Sequence, residues 1–369
     1  MKVMSIFGTR PEAIKMGPVV KALEKEEGIE SIVCVTAQHR EMLDQVLEVF
    51  DIKPDYDLDI MKQHQTLTDI TTRAIKGLEK VMEEAKPDVV LVHGDTTTTF
   101  AGALAAFYHQ IAVGHVEAGL RTYDKYQPFP EEMNRKLTGS IADYHFAPTE
   151  TAKNHLLLEN VDEASIVVTG NTVIDALSST INDAYRFTID ALNHIDYKNK
   201  KIIAMTAHRR ENLGQPLENI CEAVLEVVNR RPEVEVVYAV HLNPKVMDVV
   251  NRILGNHERI HLLPPLELKD MHNLLSRSYL VLTDSGGLQE EVPSLGKPVL
   301  VLRDVTERPE GVEAGTLKLV GTDKAKIIDT TLELLMNADS YNMMATATNP
   351  YGDGHASERI VAWLKANHR

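Results

Sequence analysis

Cysteine is scarce in this chain: Cys34 and Cys221 are the only two among 369 residues. Two distant thiols make no disulfide framework and no pair of metal ligands, so a reducing compartment, the cytoplasm, is expected. Each lies in an apolar-periodic stretch, where it reads as a small buried hydrophobe. Basic charge is also short, with 39 Lys and Arg against 54 Asp and Glu and a net charge of −15. That balance argues against a sequence-independent nucleic-acid binder, which needs a basic footprint to displace phosphate counterions. A small phosphate-bearing ligand stays open, because a few cations can converge locally.

Long hydrophobic runs are missing too. The apolar start, 1–7, turns at Gly8 and meets Arg10 at once, too short for a secretion signal. Segment 96–116 carries no Asp, Glu, Lys or Arg, but four threonines, two histidines and Gln110 make it a poor membrane span. The 15 histidines form no HExxH or similarly spaced pair, and Asp57-Leu58-Asp59 lacks the context of a metal-binding DxD, so no metal site is expected. No internal repeat or low-complexity tract occurs.

What is present is alternation. Short Val/Ile/Leu-rich runs take turns with amphipathic stretches, the pattern of parallel sheets with crossover helices. The spacing predicts strands at 2–7, 31–36, 88–92 and 111–116, with helices at 18–25, 67–84 and 97–108. A fresh series follows, with strands at 201–205, 234–240, 259–263, 279–282 and 298–302 and helices at 216–229, 268–277 and 324–337. The length suits two domains, with a seam near Val168-Thr169-Gly170-Asn171-Thr172. Open α/β sheets bind ligands at the carboxyl ends of their strands.

The chemistry-bearing residues crowd at those ends. After the first strand, Phe7-Gly8-Thr9-Arg10-Pro11-Glu12 combines a tight turn with Pro11 at the start of a helix, putting Arg10 where an anion would bind and Lys15 one turn on. Thr283-Asp284-Ser285-Gly286-Gly287-Leu288-Gln289-Glu290-Glu291 joins a strand end to two glycines and a helix capped near Ser285, a phosphate-binding pattern. Glu291 lies about a turn inside, where a carboxylate can take a ribose hydroxyl pair. Arg308 belongs to a charged strand-end loop, 303–310.

Three carboxylates stand out: Asp95 in His93-Gly94-Asp95, Glu117 in His115-Val116-Glu117, and Glu131 in Pro130-Glu131-Glu132-Met133-Asn134-Arg135. Clustered carboxylates push one another's pKa values apart, giving one proton donor and one acceptor. Taken singly, each also reads as a helix cap or an ion-pair partner of Arg121 or Arg135. His208, in Thr206-Ala207-His208-Arg209-Arg210, ends the first strand of the second series and could reach a diphosphate.

Together these segments resemble the non-hydrolysing UDP-N-acetylglucosamine 2-epimerase family, nearly end to end. The resemblance implies an α/β fold of two Rossmann-like domains facing a central cleft, the GT-B-type glycosyltransferase architecture. It places an N-terminal domain at 1–169, with a C-terminal helix of about 355–369 packing back on it, and a UDP-binding domain at 170–354. It also implies a homodimer, no cofactor and no metal. The partners would be UDP-GlcNAc and UDP-ManNAc, with no nucleic acid and no membrane insertion. The family's reaction interconverts those two sugars by anti elimination of UDP, giving 2-acetamidoglucal, and syn readdition.

By this likeness Asp95, Glu117 and Glu131 form the acid/base group, with His208 near the diphosphate. Arg10, Lys15, Ser285, Gly286, Gly287, Glu291 and Arg308 would hold the nucleotide, and Met271 would take an aromatic's place at the uracil, beside Leu266. An activating second UDP-GlcNAc would meet Gln38, Glu41, His64, Glu131, Arg209 and His241. Glu41 stands where Gln is usual and His64 where Arg is usual, exchanges that weaken a diphosphate site. The other readings are a hydrolysing relative releasing ManNAc and UDP, a two-domain sugar-nucleotide transferase, and a catalytically silent nucleotide-sugar sensor.

Overall fold

Parallel strands dominate the computed structural model, which describes residues 1–37, 40–62 and 64–368. Seven strands form one sheet: β1 (Lys2–Phe7), β2 (Glu30–Val35), β3 (Tyr56–Asp57), β4 (Val89–His93), β5 (Ala112–Val116), β6 (Tyr144–Ala147) and β7 (Ile166–Val168). Six form another: β8 (Lys201–Thr206), β9 (Val234–Ala239), β10 (Ile260–Leu263), β11 (Leu280–Thr283), β12 (Val299–Val301) and β13 (Leu317–Leu319). Each sheet belongs to its own unit, one made of Met1–Ser179 with Tyr351–Arg369, the other of Thr180–Pro350. Both units are Rossmann-like.

In the first unit the strand order is β3-β2-β1-β4-β5-β6-β7, every pairing parallel. Val89, Val90, Leu91 and Val92 are wholly buried, as expected of a central strand covered on both faces. The order reverses between β1 and β4, so the loops leaving these two strands diverge and open a crevice. The second unit repeats the order as β10-β9-β8-β11-β12-β13, with its reversal between β8 and β11. Alternate residues of β8 feed different layers: Ile203 and Met205 join one apolar cluster, Ile202 and Ala204 the other.

Two departures concern the helix after β1 and the end of the first unit. The helix after β1 runs unbroken through Pro18, from Arg10 to Lys25. Proline costs this helix a backbone bond, but Met16, Pro18, Val19, Val20 and Leu23 are all buried and hold the segment in place. The first unit also extends past the expected seam at 169/170, to Ser179 near the end of the helix Thr172–Thr180. In that helix Asp175, a buried carboxylate, accepts the backbone N–H of Ala356 at 3.2 Å and of Ser357 at 2.7 Å. It thereby caps the returning helix Ala356–Asn367, whose Trp363 meets the rings of Tyr144 at 4.9 Å and Phe146 at 5.6 Å.

Gly8 shows how tightly the first crevice is built. A Cβ at this position would lie 1.9 Å from Thr36 Oγ1 and 2.8 Å from Thr98 Oγ1, two buried hydroxyls bonded to each other at 2.9 Å. Gly8→Ala is therefore expected to lose about 1–3 kcal/mol of stability. Chemical denaturation checks this, and an unchanged midpoint would refute the packing argument.

Candidate active site

The first crevice is stitched by a buried carboxylate. Glu12 Oε2 accepts the backbone N–H of Gly8 at 3.1 Å and Thr9 at 2.8 Å, while Oε1 accepts the hydroxyls of Thr96 at 2.6 Å and Thr99 at 3.2 Å. The exit loop of β1 is thus locked to the helix after β4. Burial raises the Glu12 pKa, with these bonds opposing the rise. Arg10 opens the helix Arg10–Lys25 and makes no ion pair or side-chain hydrogen bond among the described residues.

Glu117 leaves β5 with a φ of 63°, in the left-handed region that a non-glycine residue adopts only when its surroundings enforce it. Those surroundings are Lys15, which forms an ion pair with Glu117 Oε2, the Asn171 amide, which donates at 3.0 Å, and His93, whose Nε2 lies at 3.8 Å. Asp95, after β4, is bound by the Arg135 guanidinium at 2.6 Å, and its carbonyl accepts from the Asn134 amide at 2.9 Å. Arg135 and Asn134 lie one turn into the helix Glu131–Ile141, so Glu131 opens that helix close to the Asp95 loop. Glu131 Oε2 is buried and accepts no hydrogen bond among the described residues.

Asp95 and Glu117 each face a cation, and Lys15, expected at the nucleotide, sits on Glu117. Neighbouring Glu132 supports the loop instead, accepting the backbone N–H of Thr122 at 3.0 Å and Tyr123 at 2.9 Å and pairing with Arg135 at 3.3 Å. Arg121 is absorbed by a two-pronged pair with Glu159, at 2.9 and 2.8 Å.

The second crevice centres on Asp284, at the end of β11. This fully buried carboxylate collects the backbone N–H groups of His208 and Arg209, both at 2.7 Å, and the Asn212 amide at 3.0 Å. His208 is 40% exposed, and its ring stacks on that of His241 at 5.3 Å with planes 5° apart. Ser285, Gly286 and Gly287 begin the short helix Gly286–Glu291. The Arg308 guanidinium lies over Gly286, where a Cβ would come within 3.2 Å of its Cζ, and it is anchored by Glu290 at 2.7 Å. Glu291 faces buried His272 at 3.5 Å, whose other ring nitrogen meets the Thr180 hydroxyl at 2.6 Å. Met271 packs, partly buried, against the same apolar cluster as Leu266.

Sequence reading thus assembles two groups, Asp95, Glu117, Glu131, Lys15 and Arg10 in one unit, and His208, Arg209, His241, Met271, Ser285, Gly286, Gly287, Glu291 and Arg308 in the other. His64 is exposed in the loop before the helix Leu67–Ala85, with a φ of 54°. Gln38 and the Glu41 side chain lie outside the described residues. Arg135 is the ion-pair partner anticipated for a carboxylate, while His93, Asp284 and Glu290, given no role by the sequence, stand inside motifs already singled out. Asn171 was legible only as part of a turn.

A pair of Rossmann-like units, each with its charged side chains at the strand ends beside a reversal of strand order, defines the GT-B class of nucleotide-sugar proteins. Residues 21–365 match the family model described as UDP-N-acetylglucosamine 2-epimerase. The UDP-N-acetylglucosamine 2-epimerase of Bacillus subtilis is 60% identical over 364 residues, 99% of this chain and 95% of that protein. The UDP-GlcNAc 2-epimerase of Neisseria meningitidis, solved bound to UDP-GlcNAc, is 53% identical with a TM-score of 0.86, covering 100% of both chains. The MnaA protein of S. aureus, solved with UDP, is 58% identical with a TM-score of 0.83, over 99% of this chain and 96% of that one. The chain belongs to the UDP-N-acetylglucosamine 2-epimerase family.

Three buried histidines make the first unit sensitive to acid. Burial brings His93 down to about 4, His115 to about 3 and His145 to about 4, from an ordinary value of 6.5. All three stay neutral in the folded protein, whereas the unfolded chain protonates them near its ordinary value. The unfolded state therefore binds more protons as pH falls from about 6.5 towards about 4, and stability falls with it, on the order of 1–2 kcal/mol per histidine at about pH 5. Denaturation midpoints between about pH 7 and about pH 4.5 should decline, and less steeply in His115→Asn. The same slope in both proteins would remove His115 from the account.

Proposed function

We propose that this protein interconverts UDP-GlcNAc and UDP-ManNAc by inverting C2, without net hydrolysis, and that the product supplies ManNAc for cell-surface polysaccharide. The observation that carries the reading is the placing of Asp95, Glu117 and Glu131 around strand ends of one unit, two of them steadied by cations. The whole-chain likeness to relatives solved with UDP-GlcNAc and with UDP supports it.

A positioned carboxylate removes the weakly acidic C2 proton while the C1–O bond breaks and its electron pair leaves with UDP, producing 2-acetamidoglucal. A second carboxylate returns a proton to the opposite face of C2, and the same UDP oxygen re-adds to C1. Lys15 and Asn171 hold Glu117, and Arg135 holds Asp95, so the acid/base atoms need no reorganisation during the reaction. Within the second unit Ser285, Gly286, Gly287 and Arg308 neutralise the diphosphate, Glu291 takes the ribose, Met271 flanks the uracil, and His208 attends the leaving oxygen. The enzyme works as a homodimer in the cytoplasm, and no helix among the described residues is long and apolar enough to cross a membrane.

Incubation with UDP-GlcNAc in heavy water, followed by NMR, tests the reading. Deuterium at C2 and a UDP-ManNAc signal rising to a plateau are expected. Free ManNAc and UDP would establish the hydrolysing reaction instead. Asp95→Asn and Glu117→Gln should each lower kcat by at least about 100-fold while UDP affinity stays nearly unchanged. Full turnover in both variants would overturn the catalytic assignment.

A further inference from the structure

Asp284 has two oxygens in different situations. Oδ2 is saturated by the three donors of the His208–Asn212 loop. Oδ1 is buried and accepts no hydrogen bond among the described residues, although a buried carboxylate oxygen without a donor is costly. The His208 imidazole faces it, with Nδ1 3.5 Å away. The ring plane is already set by the stack on His241, and the His208 main chain is clamped to the same carboxylate through its own N–H. A small ring rotation turns this approach into an Nδ1–H···Oδ1 bond.

We propose that Asp284 is the positioning residue of His208: it holds the Nδ1–H, leaves Nε2 as the atom that meets the substrate, and stabilises the imidazolium beside the leaving diphosphate. The inference rests on the epimerase reading above. A neutral imidazole has one N–H and one lone pair, so tying the N–H to Asp284 decides which nitrogen works. As the C1–O bond breaks, Nε2–H passes its proton to the departing phosphate oxygen, and the imidazole becomes neutral with Nδ1–H still on Asp284. When that oxygen re-adds to C1, the proton returns to Nε2. The groups facing the ring are Asp284, stacked His241 and neighbouring Arg209.

Asp284→Asn tests the assignment. Its carbonyl oxygen can keep the three loop donors, but an amide N–H then points at Nδ1 and reverses the tautomer. In protein labelled with 15N-histidine and saturated with UDP, wild-type His208 should carry its neutral-state proton on Nδ1. The variant should carry it on Nε2. The kcat should fall by about 10²–10⁴-fold, as a wrong tautomer costs in Ser-His-Asp enzymes. In a His208→Asn background the same change should cost less than about threefold, because both residues act through one group.

An Nε2–H tautomer in the wild type, or an unmoved tautomer in Asp284→Asn, would overturn the proposal. So would an equal loss of kcat with and without His208, which marks a purely structural role. Should the variant fail to fold, the wild-type tautomer alone decides. The nitrogen shifts need no turnover, so failure of the pairing is distinct from failure of the epimerase reading, which C2 exchange reports.

Discussion

Buried carboxylates that clamp consecutive backbone N–H groups organise this protein. Glu12 takes the amides of Gly8 and Thr9, Glu132 those of Thr122 and Tyr123, Asp175 those of Ala356 and Ser357, and Asp284 those of His208 and Arg209. A charged acceptor makes each such bond about twice as strong as a neutral one, and burial shields it from competing water. Three of the four clamps fasten loops that carry or border the candidate site. The fourth ties the returning C-terminal helix to the first unit. Burial also raises the pKa of Glu12 and of Asp175, the electrostatic cost of putting a clamp inside.

Against this background the acid/base candidates are a different kind of carboxylate. Asp95 and Glu117 bind side-chain cations rather than rows of backbone amides, at exposures of 26% and 9%, so solvent or substrate can reach them more readily than it reaches Glu12. Glu131 has a buried oxygen with no donor among the described residues. Neutral His93 borders Glu117 without adding a second fixed charge. The strained backbone of Glu117 is the one place where a catalytic candidate itself departs from relaxed geometry, and three side chains enforce it.

Much of the fold was legible because central parallel strands are largely apolar, as residues 89–92 of β4 are, and their ends coincide with Gly-rich or charged turns. The strands left unread are short and lie at or next to sheet edges: β3, β6, β7 and β13 span two to four residues, and Lys318 sits in the middle of β13. Such strands carry too few alternations to be told from loop and owe their existence to a neighbour's backbone. The helix Glu131–Ile141 escaped for a related reason, since prolines and charges at its start mask its period. Within the site, motif spacing brought forward Asp95, Glu117, Glu131 and the 283–291 segment, all at strand or helix ends.

The sequence by itself determined the α/β class, the two series of strands, the residues at their carboxyl ends and the family, because local periodicity and contiguous motifs carry that information. Tertiary structure alone decided who partners whom. Lys15 reaches Glu117 across 102 positions, Arg135 reaches Asp95 across 40, and Asp284 clamps a loop 76 positions earlier. These contacts follow from strand order, and strand order is set by which apolar faces can be buried together. No local window of residues contains that choice, and it is what turns separate carboxylates into clamps, ion pairs and candidate acids and bases.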